Sequence, residues 1–113
     1  MKYMLFHCVD EAAGLAAEQA AASESALASW AGETIRGGVN LHGGRLQPAG
    51  DATTVRVRAD RVLVADGPSA ETREQIAGYD VIECADLDEA IEVAARHPVA
   101  RLGTAEVRPC RQP

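Results

Sequence analysis

The residues whose types suit chemistry are few: three histidines, one tryptophan and an aspartate set in a tight turn. Asp66 opens an Asp-Gly-Pro triplet that closes the apolar run Leu63 to Ala65. Gly67 frees φ and Pro68 fixes it, so the backbone must turn and leave a carboxylate at a strand end. There Asp66 can act as a general base or a ligand anchor; it can equally accept from backbone N–H groups of its own turn. His42 precedes Gly43-Gly44, where a ligand can approach the backbone closely. His7 lies inside an apolar run and reads either as an acid–base assistant or as a satisfied core histidine. Trp30 and Tyr3 offer an aromatic pocket wall, or simply core. His97 precedes Pro98 at the end of a helical stretch and reads as a residue that complements the helix dipole. The expected site is therefore Asp66, His42 and His7 for chemistry, with Trp30 and Tyr3 for ligand binding.

Several chemistries are set aside. No phosphate-loop, dinucleotide or zinc-protease motif occurs, and no serine sits in a nucleophile elbow. His7 and Cys8 are neighbours on a strand and point to opposite faces, so no metal-ligand cluster is visible and no metal or other cofactor is expected. Cys8, Cys84 and Cys110 are odd in number with no C-x-x-C spacing, which suits a reducing, cytoplasmic setting. A formal net charge of -6 and a pI near 4.9 lack the basic stripe of a nucleic-acid binder and are repelled by anionic membranes. No run reaches the ~18 apolar residues of a membrane span, and Asp10 and Glu11 interrupt the opening run too early for a signal peptide. At 113 residues, a single domain over 1–113 is expected.

The elements that must position these residues follow from hydrophobic period. Lys2 to Val9 is a strand apolar on both alternating sets. The Ala-rich stretch from Leu15 to Arg36 is helical, with Leu27, Ala31 and Ile35 beside Trp30 and Thr34 as its core stripe, and Gly37-Gly38 ends it. Val39 to Gln47 is a second strand, with a bulge or bend expected at Gly43-Gly44. Residues 53 to 65 read as a hairpin: Val55 and Val57 alternate with Arg56 and Arg58 as in an edge strand, and Val62 to Ala65 is apolar on both faces. A basic cluster, Arg56, Arg58 and Arg61, lies on it. A short polar turn or helix, Ser69 to Gln75, leads to the strand Tyr79 to Cys84. Asp86 caps a helix with Glu89 three residues on, Leu87, Ala90, Ile91 and Ala94 forming its buried stripe. His97-Pro98 stops that helix, and Thr104 to Cys110 is the last strand.

Without the hairpin the order is β-α-β-β-α-β, the ferredoxin-like split β-α-β arrangement of an α+β protein. Two helices cover one face of such a sheet. Apolar residues on the other face need a cover, and a second copy of the same sheet is the simplest one. A sheet-to-sheet homodimer is therefore expected.

The segment Val64-Ala65-Asp66-Gly67-Pro68-Ser69-Ala70-Glu71-Thr72-Arg73-Glu74-Gln75-Ile76-Ala77-Gly78-Tyr79 resembles the DGPF-motif proteins of the YCII-related family. Supporting stretches are Met1-Lys2-Tyr3-Met4-Leu5, Asp86-Leu87-Asp88-Glu89-Ala90 and Gly103-Thr104-Ala105-Glu106-Val107-Arg108-Pro109. The resemblance implies a dimeric α+β barrel in a small, soluble, bacterial protein. Most members have no established activity. In the wider group a His and an Asp facing a cleft have been proposed to act catalytically, and one branch is associated with aromatic dehalogenation. DGPF-type proteins are often encoded beside sigma factors of the extracytoplasmic-function class. Two departures stand out: Ser69 replaces the motif's Phe, and residues 15 to 36 hold no histidine to match the wider group's helical His.

Two functions are compatible with these observations. The first is a dimeric protein that binds a small organic molecule in a cleft near Asp66, with acid–base chemistry there. The second is a non-catalytic regulatory or interaction partner, associated with a sigma factor, that uses the hairpin 53 to 65 as its contact surface.

Overall fold

The computed structural model of the chain describes residues 1–14 and 17–112. The helix start expected at Leu15 lies outside the described residues. The chain is α+β, with six strands and three α-helices among the described residues. Strand β1 (Lys2–Val9) is followed by α1 (Ala17–Arg36) and β2 (Asn40–Arg45). The hairpin strands β3 (Thr53–Arg58) and β4 (Arg61–Asp66) come next, then β5 (Gln75–Glu83). Helices α2 (Leu87–Arg96) and α3 (Val99–Leu102) precede β6 (Thr104–Pro109). The main sheet is antiparallel throughout, in the order β2-β5-β1-β6. With the separate β3-β4 sheet set aside and α2 and α3 taken as one helical connection, the element order is β-α-β-β-α-β, as the hydrophobic pattern implies.

Period two divides the main sheet. Tyr3, Leu5 and His7 of β1 share a face with Asp80 and Ile82 of β5, and this face is buried under the helices. Trp30 of α1 and Ala90, Val93 and Ala94 of α2 complete the core with Tyr3, Leu5, Ile82 and Cys84. Met4, Phe6, Cys8, Tyr79 and Val81 occupy the opposite face and stay partly exposed.

Helix stripes shift slightly from expectation. On α1 the buried residues are Trp30 and Thr34, with Leu27 and Ala31 packed beside them, while Ile35 is exposed at the edge of the stripe. On α2, Val93 replaces Leu87 and Ile91, which lie on the exposed flank. Ala90, Val93 and Ala94 and the expected Leu87, Ala90, Ile91 and Ala94 both keep helical spacing, so the period alone does not choose between these two overlapping faces. The cap is as expected: Asp86 accepts from Glu89 N–H at 2.9 Å, and the Glu89 carboxylate reaches back to Ala85 N–H at 2.9 Å.

Two strand boundaries differ. β5 begins at Gln75, so only residues before it are loop, and the extra length includes a bulge where His7 opposes Gly78 and Cys8 opposes Ile76. In β2 the irregularity falls between Asn40 and His42 rather than at Gly43-Gly44. The expected hairpin is present, turned by Ala59 and Asp60 at φ 49° and 61°. Such left-handed φ values at both central residues match the twist of a two-residue hairpin turn. Its valines are not buried: Val55, Val57, Val62 and Val64 share one face and are 57–66% exposed. The radius of gyration, 15.9 Å, exceeds the roughly 13 Å of a compact chain of this length, as a projecting hairpin requires.

Candidate functional site

The β1–β5 register sets Leu5 opposite Asp80 and His7 opposite Gly78, so His7 and Asp80 are diagonal neighbours on the helix-covered face. The Asp80 Oδ2 lies 2.7 Å from His7 Nε2. Its Oδ1 accepts from the Asn40 side-chain amide at 3.0 Å. Both Asp80 and His7 are buried. A carboxylate removed from water needs such partners, and an ionised Asp80 puts the His7 proton on Nε2. His7 Nδ1 is then a lone pair, sealed from solvent and without a hydrogen-bond partner among the described residues.

The irregularity in β2 is what brings Asn40 to Asp80. Asn40 opposes Ile82 on the inner face, whereas His42 opposes Val81 on the outer one. Gly43 then lies opposite Asp80, where a Cβ would fall 1.8 Å from Oδ1. Only glycine lets the carboxylate lie against this strand.

His97 arrives from the end of α2. Its ring stacks on His7, with centroids 3.9 Å apart and planes 13° from parallel. Trp30 meets His97 edge-on at 4.6 Å and His7 at 6.3 Å. The indole is fixed in turn because its Nε1–H donates to Val93 O at 2.9 Å. His97 Nδ1 accepts from Val99 N–H at 3.0 Å. Burial, and then the neighbouring His7, push the His97 pKa down to about 4.

These groups form the floor of a cleft of about 740 Å³ between α1 and the sheet. Its walls are mostly apolar: Leu27, Trp30, Ala31 and Ile35 from α1, and Leu41 and Leu46 from β2 and its end. An Arg45–Glu24 ion pair, 2.7 Å long, lies at the exposed rim. His7, Asp80 and His97 offer ligand atoms within 4.8 Å of one another. The two imidazole planes are nearly parallel, however, and in-plane lone pairs of stacked rings do not converge on one ion at bonding distance. The arrangement suits hydrogen bonding and proton transfer better than shared coordination.

Among the residues singled out from sequence, His7, Trp30 and His42 all line this cleft, His42 with its ring paired to Tyr79. Asp66 does not join them. It ends β4 opposite Thr53, exposed, with no hydrogen-bond partner among the described residues. The cleft that holds the His7–Asp80 pair does not include Asp66. The Asp-Gly-Pro turn is held by Gly67 at φ 94°, by Gly67 N–H to Ala52 O at 2.7 Å, and by the Thr54 hydroxyl to Gly67 O at 2.8 Å. A second hollow, about 480 Å³, adjoins that turn at Pro68, Ser69 and Thr72 and contains no imidazole. His42 pairs with the Tyr79 hydroxyl at 2.9 Å through Nδ1, on the outer face. Tyr3 is buried core, its hydroxyl 3.8 Å from Met1 Sδ, and it does not line the cleft. His97, read as a dipole-complementing helix end, is a buried member of the site.

Asp80 and Asn40 were not singled out from sequence as site residues, and His97 was read only as a helix end. Asp80 did carry a signal: period two puts it on the same face as Ile82 and Cys84, and an acid on an apolar face demands partners. His97 carried none, because its neighbours come from strand β1, ninety residues away.

An antiparallel α+β sheet whose one covered face carries a buried His–Asp pair defines the class of this protein. A model of the YCII-related domain matches residues 1–112, and the chain belongs to that family. It is 46% identical over 67 residues to the uncharacterized protein R00369 of Rhizobium meliloti (strain 1021). That match covers 58% of this chain and 54% of the relative, so the chain spans about half the length of the curated protein it matches. No helix among the described residues is long and apolar enough to cross a membrane.

Proposed function

We propose that this YCII-related protein binds a small organic molecule in the cleft between α1 and the sheet and exchanges a proton with it through the Asp80–His7 pair. The observation that carries the reading is the 2.7 Å contact between two buried, oppositely ionisable groups at the floor of an apolar cleft. Because His7 Nδ1 is closed off, the exchange point is the Asp80 carboxylate edge, with His7 sharing the proton and Asn40 fixing the second oxygen. Apolar walls select a ligand with a hydrocarbon body. Screening cyclic ketones, unsaturated lactones and phenols by amide shifts tests the binding. Perturbations that cluster at Ala31, Gly43, Gly78 and His97 support the reading; shifts confined to the outer face or the hairpin contradict it.

The proposed assembly is a homodimer, in keeping with a dimeric α+β barrel. Support comes from the four exposed valines of the hairpin and from the partly exposed Phe6, Tyr79 and Val81 of the outer sheet face. The same valine face supports the second reading, a regulatory interaction partner such as a sigma-factor-associated protein. Free Cys8, Cys84 and Cys110 favour a reducing, cytoplasmic setting.

A further inference from the structure

We infer that His97 is the oxyanion-binding residue of the cleft, a neutral imidazole whose Nε2–H donates to the oxygen of an enol- or phenol-type ligand. The inference rests on the proton-transfer reading and names its substrate class. Its first support is the tautomer. A backbone N–H can only donate, so the Val99 N–H at 3.0 Å requires a lone pair on His97 Nδ1 and places the ring proton on Nε2. Val99 begins α3, where an N–H has no intrahelical acceptor, so nothing in the backbone competes for it.

The second support is neutrality. His97 is 6% exposed and its ring lies face to face with the His7 ring, so a charge on it would be cut off from water. The depressed pKa agrees with this. A fixed N–H binds a developing oxyanion more strongly than a ground-state carbonyl, because a hydrogen bond strengthens as charge builds on its acceptor.

The third support is vacancy of the donor. Nε2 has no partner among the described residues and is not sealed as His7 Nδ1 is, while its ring lines the cleft. An N–H that opens on the cleft without a protein partner is free to donate to a ligand oxygen.

The step balances. A ligand C–H or O–H bond breaks, the proton moves to the Asp80–His7 pair, and the electron pair settles on the ligand oxygen beside His97 Nε2–H. The cleft begins with the single negative charge of Asp80 and ends with a single negative charge on the ligand. A ligand must therefore enter uncharged, because a preformed anion would meet the Asp80 carboxylate.

The test uses the whole chain, labelled with ¹⁵N, and 4-nitrophenol as probe. Long-range ¹H–¹⁵N spectra at pH 6, where the probe is mostly the uncharged phenol, are expected to show His97 neutral with its proton on Nε2, and that proton is expected to move downfield as the probe is added. The affinity of H97F is expected to fall roughly tenfold to a hundredfold, the loss of one hydrogen bond to a charged group. H97Q, which keeps an N–H donor at that place, should lose less than about threefold on the same ground. A cationic His97, a proton on Nδ1, an Nε2–H signal indifferent to saturating probe, or no binding by the wild type overturns the inference. Failure of the proton-transfer reading looks different: Asp80→Asn then leaves proton exchange with ligands unchanged, while the His97 tautomer and its contact with the probe persist.

Discussion

Replacing Gly43 by alanine tests the geometry of the site without touching a polar side chain. The new Cβ would fall 1.8 Å from Asp80 Oδ1, 2.7 Å from its Cγ and 2.8 Å from Tyr79 O. Rotation of the carboxylate alone does not relieve this, since the Tyr79 carbonyl is backbone. Asp80 must leave both Asn40 and His7, or β2 must separate from β5. Each of the two hydrogen bonds to the buried carboxylate is worth about 1.5–3 kcal/mol, so the loss is about 3–6 kcal/mol. Gly44 is the control, because its Cβ would meet only Tyr79 Cε1 at 3.8 Å, an ordinary contact. Urea unfolding at one fixed protein concentration reads the difference. With a slope of roughly 1–3 kcal/mol/M, G43A should lower the midpoint by about 1 M or more. Equal midpoints for G43A and G44A would refute the packing of Asp80 against β2.

Three further outcomes follow from other parts of the molecule. The pKa of His97 is held at about 4, against ~6.5 when unfolded, so below pH ~6.5 the unfolded chain binds the proton first. Stability is full above pH ~7 and falls by roughly 3 kcal/mol as pH drops toward 4; urea midpoints across pH should show this slope in the wild type and not in H97Q. Asp86→Ala removes the N-cap of α2 and should cost about 1 kcal/mol, read by the same unfolding experiment. Val62→Asp puts a charge in the valine face of the hairpin and should convert a dimer to monomers in sedimentation velocity while circular dichroism stays unchanged; an unaltered sedimentation coefficient would remove the hairpin from the dimer contact.

The parts of the fold that were legible in the sequence are those governed by local period and punctuation. The hairpin, the capped α2 and the double-sided first strand all follow from alternation, from Asp86 with Glu89, and from Pro98. Burial was legible only where an element has one clear face. The valines of β3 and β4 alternate or run together as core strands do, yet nothing in the described chain covers them. The site was half legible. His7 and Trp30 have the right types on recognisable elements. Their partners depend on register: one irregular residue in β2 sends Asn40 inward and His42 outward, and the β1–β5 pairing chooses Asp80 over Asp66. Gly43-Gly44 did mark a close approach, but the group that approaches is the chain's own carboxylate rather than a ligand.

Deuterium incorporation is the most direct test of proton transfer at the Asp80–His7 pair. Cyclic ketones and unsaturated lactones are incubated in deuterium oxide with the wild type, with Asp80→Asn, and with Gly44→Ala as a folded control, and loss of the α-proton is followed by NMR. Exchange that is faster than the buffer with the wild type and Gly44→Ala, and returns to the buffer rate with Asp80→Asn, is the predicted result. Exchange by Asp80→Asn at the wild-type rate, or none above buffer by any of the three, would contradict the account.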